Sequence, residues 1–276
     1  MAKQPLLTHK SSDGILTVTM NRPEVHNAFD DHQVQRLIRV LNESATDRSV
    51  RVVILAGAGK SFSAGGDIDY MRRMGYNTHE ANLADAKQLA TLMQVLYTLP
   101  KPTIARVNGA AMGGGVGLVC CRDFAVGSQH ARFATSEVRI GMVAATIGPY
   151  VVSSIGEKAA RRLFMSALSV NAEQALSLGL LSQQAPEEEL DCAVAALAKT
   201  LIQNAPRAVS LSKQLSIDVA GRPISKELID NTIALIADVR GSTEGREGLA
   251  AFLEKQTPGW AMQSPHGCHT TGANDV

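Results

Sequence analysis

The chain has 276 residues, 45% of them apolar and 4% aromatic, with a formal charge of +1. That length and apolar share suit one large α/β domain, or one domain carrying a helical appendage. The near-neutral charge excludes the electrostatic footprint of a nucleic-acid or anionic-membrane binder, and no apolar run approaches the ~18 residues of a membrane span.

The first residues, "MAKQPLLTHKSSDG", lack the apolar core of a signal segment. Residues 5–20 alternate in two runs turned by "SSDG" and read as a hairpin. Asp30 is placed to cap a helix whose Val34, Leu37, Ile38 and Leu41 fall at i, i+3, i+4 and i+7. "VRVVILAG" (50–57) reads as a buried strand ending in glycine, and a long helix over about 79–98 stops at Pro100 and Pro102. "TIARVNG" (103–109) is another buried strand, the glycine cluster at 113–115 opens the next helix, and "DFAVGS" (123–128) is a strand again. This alternation implies a largely parallel sheet wrapped by helices. From 147 onward strand signals nearly vanish and five segments read as helices, so the chain is an α/β core with a helical C-terminal portion; the domain assignment is a core over 1–200 and a helical oligomerisation region at 201–261. Helices that leave a core bury their apolar stripes against another subunit, which predicts an oligomer. The basic pairs Arg72-Arg73 and Arg161-Arg162 lie on apolar-periodic segments and read as solvated helix faces.

Cys120 and Cys121 are adjacent in an apolar stretch, Cys192 sits in a helical pattern and Cys268 lies near the end. This is no disulfide framework; it fits reduced thiols in a cytoplasmic protein. "HGCH" (266–269) supplies only three donors in a polar stretch, so no metal is expected there, and 262–276 reads as a disordered tail.

Two phosphate motifs fail on inspection. "GAGKS" (57–61) needs a glycine at 54 to be a phosphate loop, where Ile54 stands; a dinucleotide fingerprint needs one at 118 or 120, where Leu118 and Cys120 stand. What remains is a pair of similar constructions, a buried strand followed by "SFSAGGD" (61–67) and another followed by "NGAAMGGG" (108–115). Such loops either allow close helix–sheet packing or aim backbone N–H groups into a cavity, where two of them form an oxyanion hole. Spacing alone does not choose between the two.

Taken together, "NRPEVHNAF" (21–29), "SFSAGGDIDYM" (61–71), "NGAAMGGGVGL" (108–118) and "ATSEVRIGMV" (134–143) resemble, in order, the motifs of the enoyl-CoA hydratase/isomerase (crotonase) family. The resemblance runs over residues 10–260. It implies an α/β spiral of repeated ββα turns with a C-terminal helical trimerisation region, assembled as a homotrimer or a dimer of trimers. It also implies an acyl group bound as a coenzyme A thioester, so that coenzyme A enters with the substrate and no separate cofactor is needed. By position it gives the two oxyanion donors to Gly66 and Gly114. It places coenzyme A against Glu24, Val25 and His26 and against the stretch from Ala64 through Asp67 to Ile68. "AFLEK" (251–255) resembles the helix that reaches coenzyme A of a neighbouring subunit, through Phe252 and Lys255.

Ordinary hydratases of this family carry two glutamates at the substrate. Here the second is Glu137, while Gly117 stands at the first position. One carboxylate of tuned pKa can accept a proton from water and pass it to the α-carbon. A glycine at 117 removes a charge and is expected to clear room beside the reacting carbon, which points to a 3-branched substrate carrying its own carboxylate. The local sequence resembles 3-methylglutaconyl-CoA hydratases and their isohexenylglutaconyl-CoA relatives, of leucine and acyclic-terpene breakdown. The small Ala144, Ala145 and Gly148 lean toward the longer isohexenyl chain. Arg139 is a conceivable partner for the distal carboxylate, though a structural role suits it better, and His130 carries no catalytic signal. The rival readings are a Δ3,Δ2-enoyl-CoA isomerase and a non-catalytic binding protein of the same fold.

Overall fold

A computed structural model describes residues 4–261; "HGCH", Cys268 and the expected tail from 262 lie outside them. The chain divides between Leu190 and Asp191 into two compact units.

The first unit opens with β1 (Leu6–Lys10) and β2 (Ile15–Met20), paired antiparallel as the alternation predicts. Next come α1 (Asp31–Thr46), β3 (Val52–Gly57), β4 (Ser61–Ser63), α2 (Ile68–Met74) and α3 (His79–Tyr97). They are followed by β5 (Thr103–Val107), β6 (Ala110–Met112), α4 (Gly114–Cys120), β7 (Phe124–Ser128), β8 (Arg132–Ala134) and α5 (Gly148–Ser166). The unit ends with β9 (Val170–Asn171), α6 (Ala172–Leu178) and β10 (Gln183–Ala185).

Two sheets share these strands, one in the order β1-β2-β3-β5-β7-β10 and the other in the order β4-β6-β8-β9. Successive strands alternate between them: β3, β5 and β7 enter the larger sheet in parallel, while β4, β6 and β8 run parallel in the smaller one. Each pair of strands plus its helix makes one turn of a spiral, as expected. The larger sheet is legible because β3 is buried along its whole length and therefore reads as a continuous apolar run. The smaller sheet uses strands of only two or three residues, too short to show a period. α1 forms where the spacing predicts it: Asp30 accepts a hydrogen bond from the Gln33 N–H at 2.8 Å, and Val34, Leu37 and Leu41 are buried.

The second unit carries most of α7 (Leu190–Ile202), with α8 (Pro206–Val219), α9 (Lys226–Gly241) and α10 (Thr243–Leu253). A boundary at 200 falls near the end of α7, whereas the two compact units divide one residue after its start. Glu244 of α10 accepts from the N–H groups of Arg207 and Ala208 at 3.0 and 2.8 Å, satisfying two orphan donors at the start of α8.

One core residue is at odds with its surroundings. Arg122 is 9% exposed, and its Nε, Nη1 and Nη2 are buried without a hydrogen-bond partner. Burial drives its pKa down to about 9, although Asp123 and Cys121 draw it back up. Burial thus disfavours the charged guanidinium at neutral pH, a cost that Cys121 and Asp123 offset in part and that eases as pH rises past the folded value. Arg122→Met is expected to raise the midpoint of urea unfolding, because it removes a buried charge; a destabilised variant would mean that the attraction of Cys121 and Asp123 outweighs the cost of burial.

Candidate active site

Gly66 follows β4 in a loop fixed by its own small polar residues. Ser63 Oγ accepts from the Gly65 N–H at 3.2 Å and donates to the Asn27 carbonyl at 3.0 Å. Phe29 N–H donates to the Gly65 carbonyl and Asp67 N–H to the Phe29 carbonyl, at 2.8 and 3.1 Å, so Phe29 bridges Gly66 in parallel. That pairing uses the groups on either side of Gly66 and leaves its own N–H turned the other way.

Gly114 is the first residue of α4, where an N–H has no carbonyl within the helix to meet. The turn before it needs glycine, because Gly113 has φ +51° and its N–H is tied to the Ala134 carbonyl at 2.8 Å. The two loops meet backbone to backbone: a Cβ on Gly65 would lie 2.7 Å from the Met112 carbonyl oxygen and 3.3 Å from the Gly114 nitrogen.

Glu137 begins a 3-10 turn, Glu137–Ile140, just beyond β8. Anchors hold that turn on both sides: Thr135 Oγ1 donates to the Leu163 carbonyl at 3.0 Å and Arg139 Nη2 to the Ala167 carbonyl at 2.9 Å. Arg139 therefore has a structural contact. The Glu137 carboxyl reaches the start of α4, with Oε1 3.1 Å from where a Cβ on Gly113 would stand. Its Oε2 is buried without a partner, and burial raises the pKa. A raised carboxyl pKa means the fold favours the protonated acid, so the penalty is absent below the ordinary carboxylate value and grows as pH climbs through the folded one. Glu137→Gln is accordingly expected to melt above the parent at neutral pH, with the two curves converging in acid; a lower Tm at neutral pH would contradict this.

Gly66, Gly114 and Glu137 line one cavity of about 140 Å³. Its apolar wall includes Val34, Met71, Leu89, Val143, Ala144 and Ile147; its polar wall is Asp31, Tyr70, Asp85 and Gln88. The Tyr70 hydroxyl donates to Asp85, whose pKa is raised by burial and by the charge of Asp31. Arg73 pairs with Asp31 at 3.4 Å and stands 5.7 Å from the Tyr70 ring centre. The polar wall was not foreseen. Its signal lies on α3, where Asp85, Gln88 and Leu89 share a face with the buried Leu92, Met93 and Leu96: an apolar stripe that turns polar at one end.

A second cavity, of about 780 Å³, shares Gly66, Tyr70 and Met71 with the first. Of the residues expected around coenzyme A, it is lined by Glu24, Val25, His26, Ala64, Asp67 and Ile68, and not by Phe252 or Lys255. Such a volume suits a large ligand. The groove is framed by ion pairs, with Arg22 held between Asp67 at 2.8 Å and Asp30 at 3.4 Å. Phe252, 81% exposed at the end of α10, and Lys255 just beyond it belong to the other unit.

Gly117 requires a correction. It does not line the cavity, and the room expected beside it is filled: a Cβ there would overlap Ile147 Cγ2, stand 2.8 Å from Ile147 Cβ and 3.3 Å from Met93 Cε. The side chain missing at 117 has been replaced by one arriving from the start of α5. Ala144 and Ala145, by contrast, do border open space, a third cavity of about 310 Å³ that also touches Glu137 and Val143.

Among the described residues, no group of three or more His, Cys, Asp or Glu is placed to hold a metal ion, and no helix is long and apolar enough to cross a membrane.

The chain is similar to known proteins along most of its length. A family model described as enoyl-CoA hydratase/isomerase matches residues 10–263. A short-chain-enoyl-CoA hydratase of Clostridium acetobutylicum is 33% identical over 252 residues, covering 88% of this chain and 92% of that protein. Among solved structures, an enoyl-CoA hydratase from Shewanella pealeana superposes with a TM-score of 0.90 at 37% identity, covering 93% of this chain and 96% of its own. A Legionella pneumophila structure described under enoyl-CoA hydratase/isomerase (crotonase) is 45% identical, with a TM-score of 0.87 and coverage of 93% and 98%.

Proposed function

The chain belongs to the enoyl-CoA hydratase/isomerase family, and from that premise we propose that it adds water across the 2,3-double bond of a 3-branched glutaconyl-CoA thioester. The observation that carries the reading is the half-buried Glu137 carboxyl, with one oxygen unpartnered, on the same cavity as Gly66 and Gly114. The thioester oxygen sits on the two N–H groups. Water attacks the β-carbon and its proton passes to Glu137, while the electron pair of the double bond moves toward the thioester and its oxygen takes enolate charge. Glu137 then returns the proton to the α-carbon, leaving a 3-hydroxyacyl thioester. Coenzyme A occupies the second cavity, and Phe252 and Lys255 are assigned to the thioester of a neighbouring subunit in a homotrimer or dimer of trimers. In support of self-association, α9 exposes Ile229, Ile233 and Ile236 on one face.

For the substrate's distal carboxylate, Arg73 replaces Arg139 as the cation within reach, since it contacts both Asp31 and Tyr70 of the acyl cavity. Asp31 and Asp85 oppose a second anion, and the Tyr70 hydroxyl that donates to Asp85 and the Arg73 that pairs with Asp31 offset part of that repulsion. Room for the branch lies at Ala144 rather than at Gly117. A single carboxylate equally suffices for the 1,3-proton shift of a Δ3,Δ2-isomerase, and water separates the two activities. The test follows the conjugated-thioester absorbance with 3-methylglutaconyl-, isohexenylglutaconyl- and crotonyl-CoA in oxygen-18 water. Loss of absorbance with label in a branched product is the expected result. Double-bond migration without label would install the isomerase, and no turnover of any of the three esters would install the non-catalytic binding protein.

A further inference from the structure

We propose that Ile147 is the residue that sets which β-substituent the site accepts, a reading that rests on the hydration proposed above and names its specificity wall. Ile147 is 2% exposed, and its carbonyl accepts from the N–H groups of Tyr150 and Val151 at 3.1 Å each, so its backbone is fixed at the start of α5. The side chain fills the volume that a residue at 117 would take, with Met93 behind that position, and it lines the same cavity as Gly66, Gly114 and Glu137. Gly114 and Gly117 are three residues apart on α4 and share a helix face. Ile147 therefore covers that helix beside the residue expected to grip the thioester oxygen.

The β-carbon is only two bonds beyond the thioester carbon, which confines it to the neighbourhood of Gly114, Glu137 and Ile147. Glu137 supplies the proton there, Ala144 leaves room beside it, and Ile147 is a buried apolar side chain that bounds that room on the side of α4. A buried, backbone-anchored β-branched residue makes a stiff wall. It discriminates by shape, at ~10–200-fold per methylene of mismatch.

The experiment compares kcat/KM of the full-length protein for 3-methylglutaconyl-CoA and isohexenylglutaconyl-CoA in the parent, Ile147→Val and Ile147→Ala, with a thermal melt of each. Shortening the wall is expected to raise the long-branch to methyl-branch ratio by ~10-fold or more in Ile147→Ala and by a smaller factor in Ile147→Val. Should Ile147→Ala fail to fold, Ile147→Val alone carries the comparison, and a merely structural residue would lower both activities together with the ratio unmoved. A folded variant that hydrates both esters at the parental ratio overturns the inference and leaves the hydratase reading intact. A parent that hydrates neither ester overturns the functional reading instead, and this one with it.

Discussion

Glu137→Gln loses at least ~100-fold in kcat on the preferred enoyl-CoA, while the affinity for a coenzyme A thioester changes little. A positioned general acid–base typically contributes 10²–10⁴-fold, and the amide keeps the shape of the side chain but cannot carry the proton. Loss of fold does not interfere, because Glu137 Oε2 has no hydrogen-bond partner to forfeit and burial already disfavours the charge. Binding is spared because the large cavity assigned to coenzyme A is lined by other residues. The expected signature is thus a fall in kcat with KM nearly constant. Two further carboxylates border the acyl cavity, Asp31 and Asp85. A parental rate in Glu137→Gln would shift the proton to one of them, and Asp85 would be tested next because its pKa is also raised.

The comparison of Gly117 with Glu137 shows what a sequence discloses and what it conceals. Glu137, Gly66 and Gly114 were legible because motif order fixes loop identity, and in this spiral the loops after β4, β6 and β8 come together wherever the turns stack. The long buried strands and the capped α1 were legible for local reasons, namely apolar runs and a capping aspartate. Gly117 was legible only as an absence. Whether an absent side chain leaves a void depends on what packs there, and the answer is a residue thirty positions on, at the start of a different helix. Close packing closes such gaps, and no local pattern pairs 117 with 147. The smaller sheet escaped for a related reason: strands of two or three residues are defined by their partners and not by any period of their own.

Gly114→Ala is expected to cost on the order of 10²-fold in kcat, and the contrast with Gly66→Ala isolates the cause. A Cβ on Gly114 would stand 2.5 Å from Phe29 Cζ and 3.2 Å from Phe29 Cε2. Phe29 cannot retreat easily: it is 3% exposed, and its backbone is bonded on both sides of Gly66. The start of α4 must move instead, carrying the Gly114 N–H away from the thioester oxygen. Loss of one oxyanion donor costs ~10²–10³ in kcat, about 2.7–4 kcal/mol of barrier. Helix propensity would by itself favour alanine here, so the loss has to come from the clash. A Cβ on Gly66 meets only Met71 Cγ at 3.3 Å and Sδ at 3.4 Å, and an unbranched thioether chain can shift to admit it; that variant should keep most of its rate. Pairing Gly114→Ala with Phe29→Leu relieves the overlap and is expected to recover part of the loss. Equal losses at the two glycines, or no recovery in the double variant, would mean that the rate depends on something other than the position of the Gly114 amide.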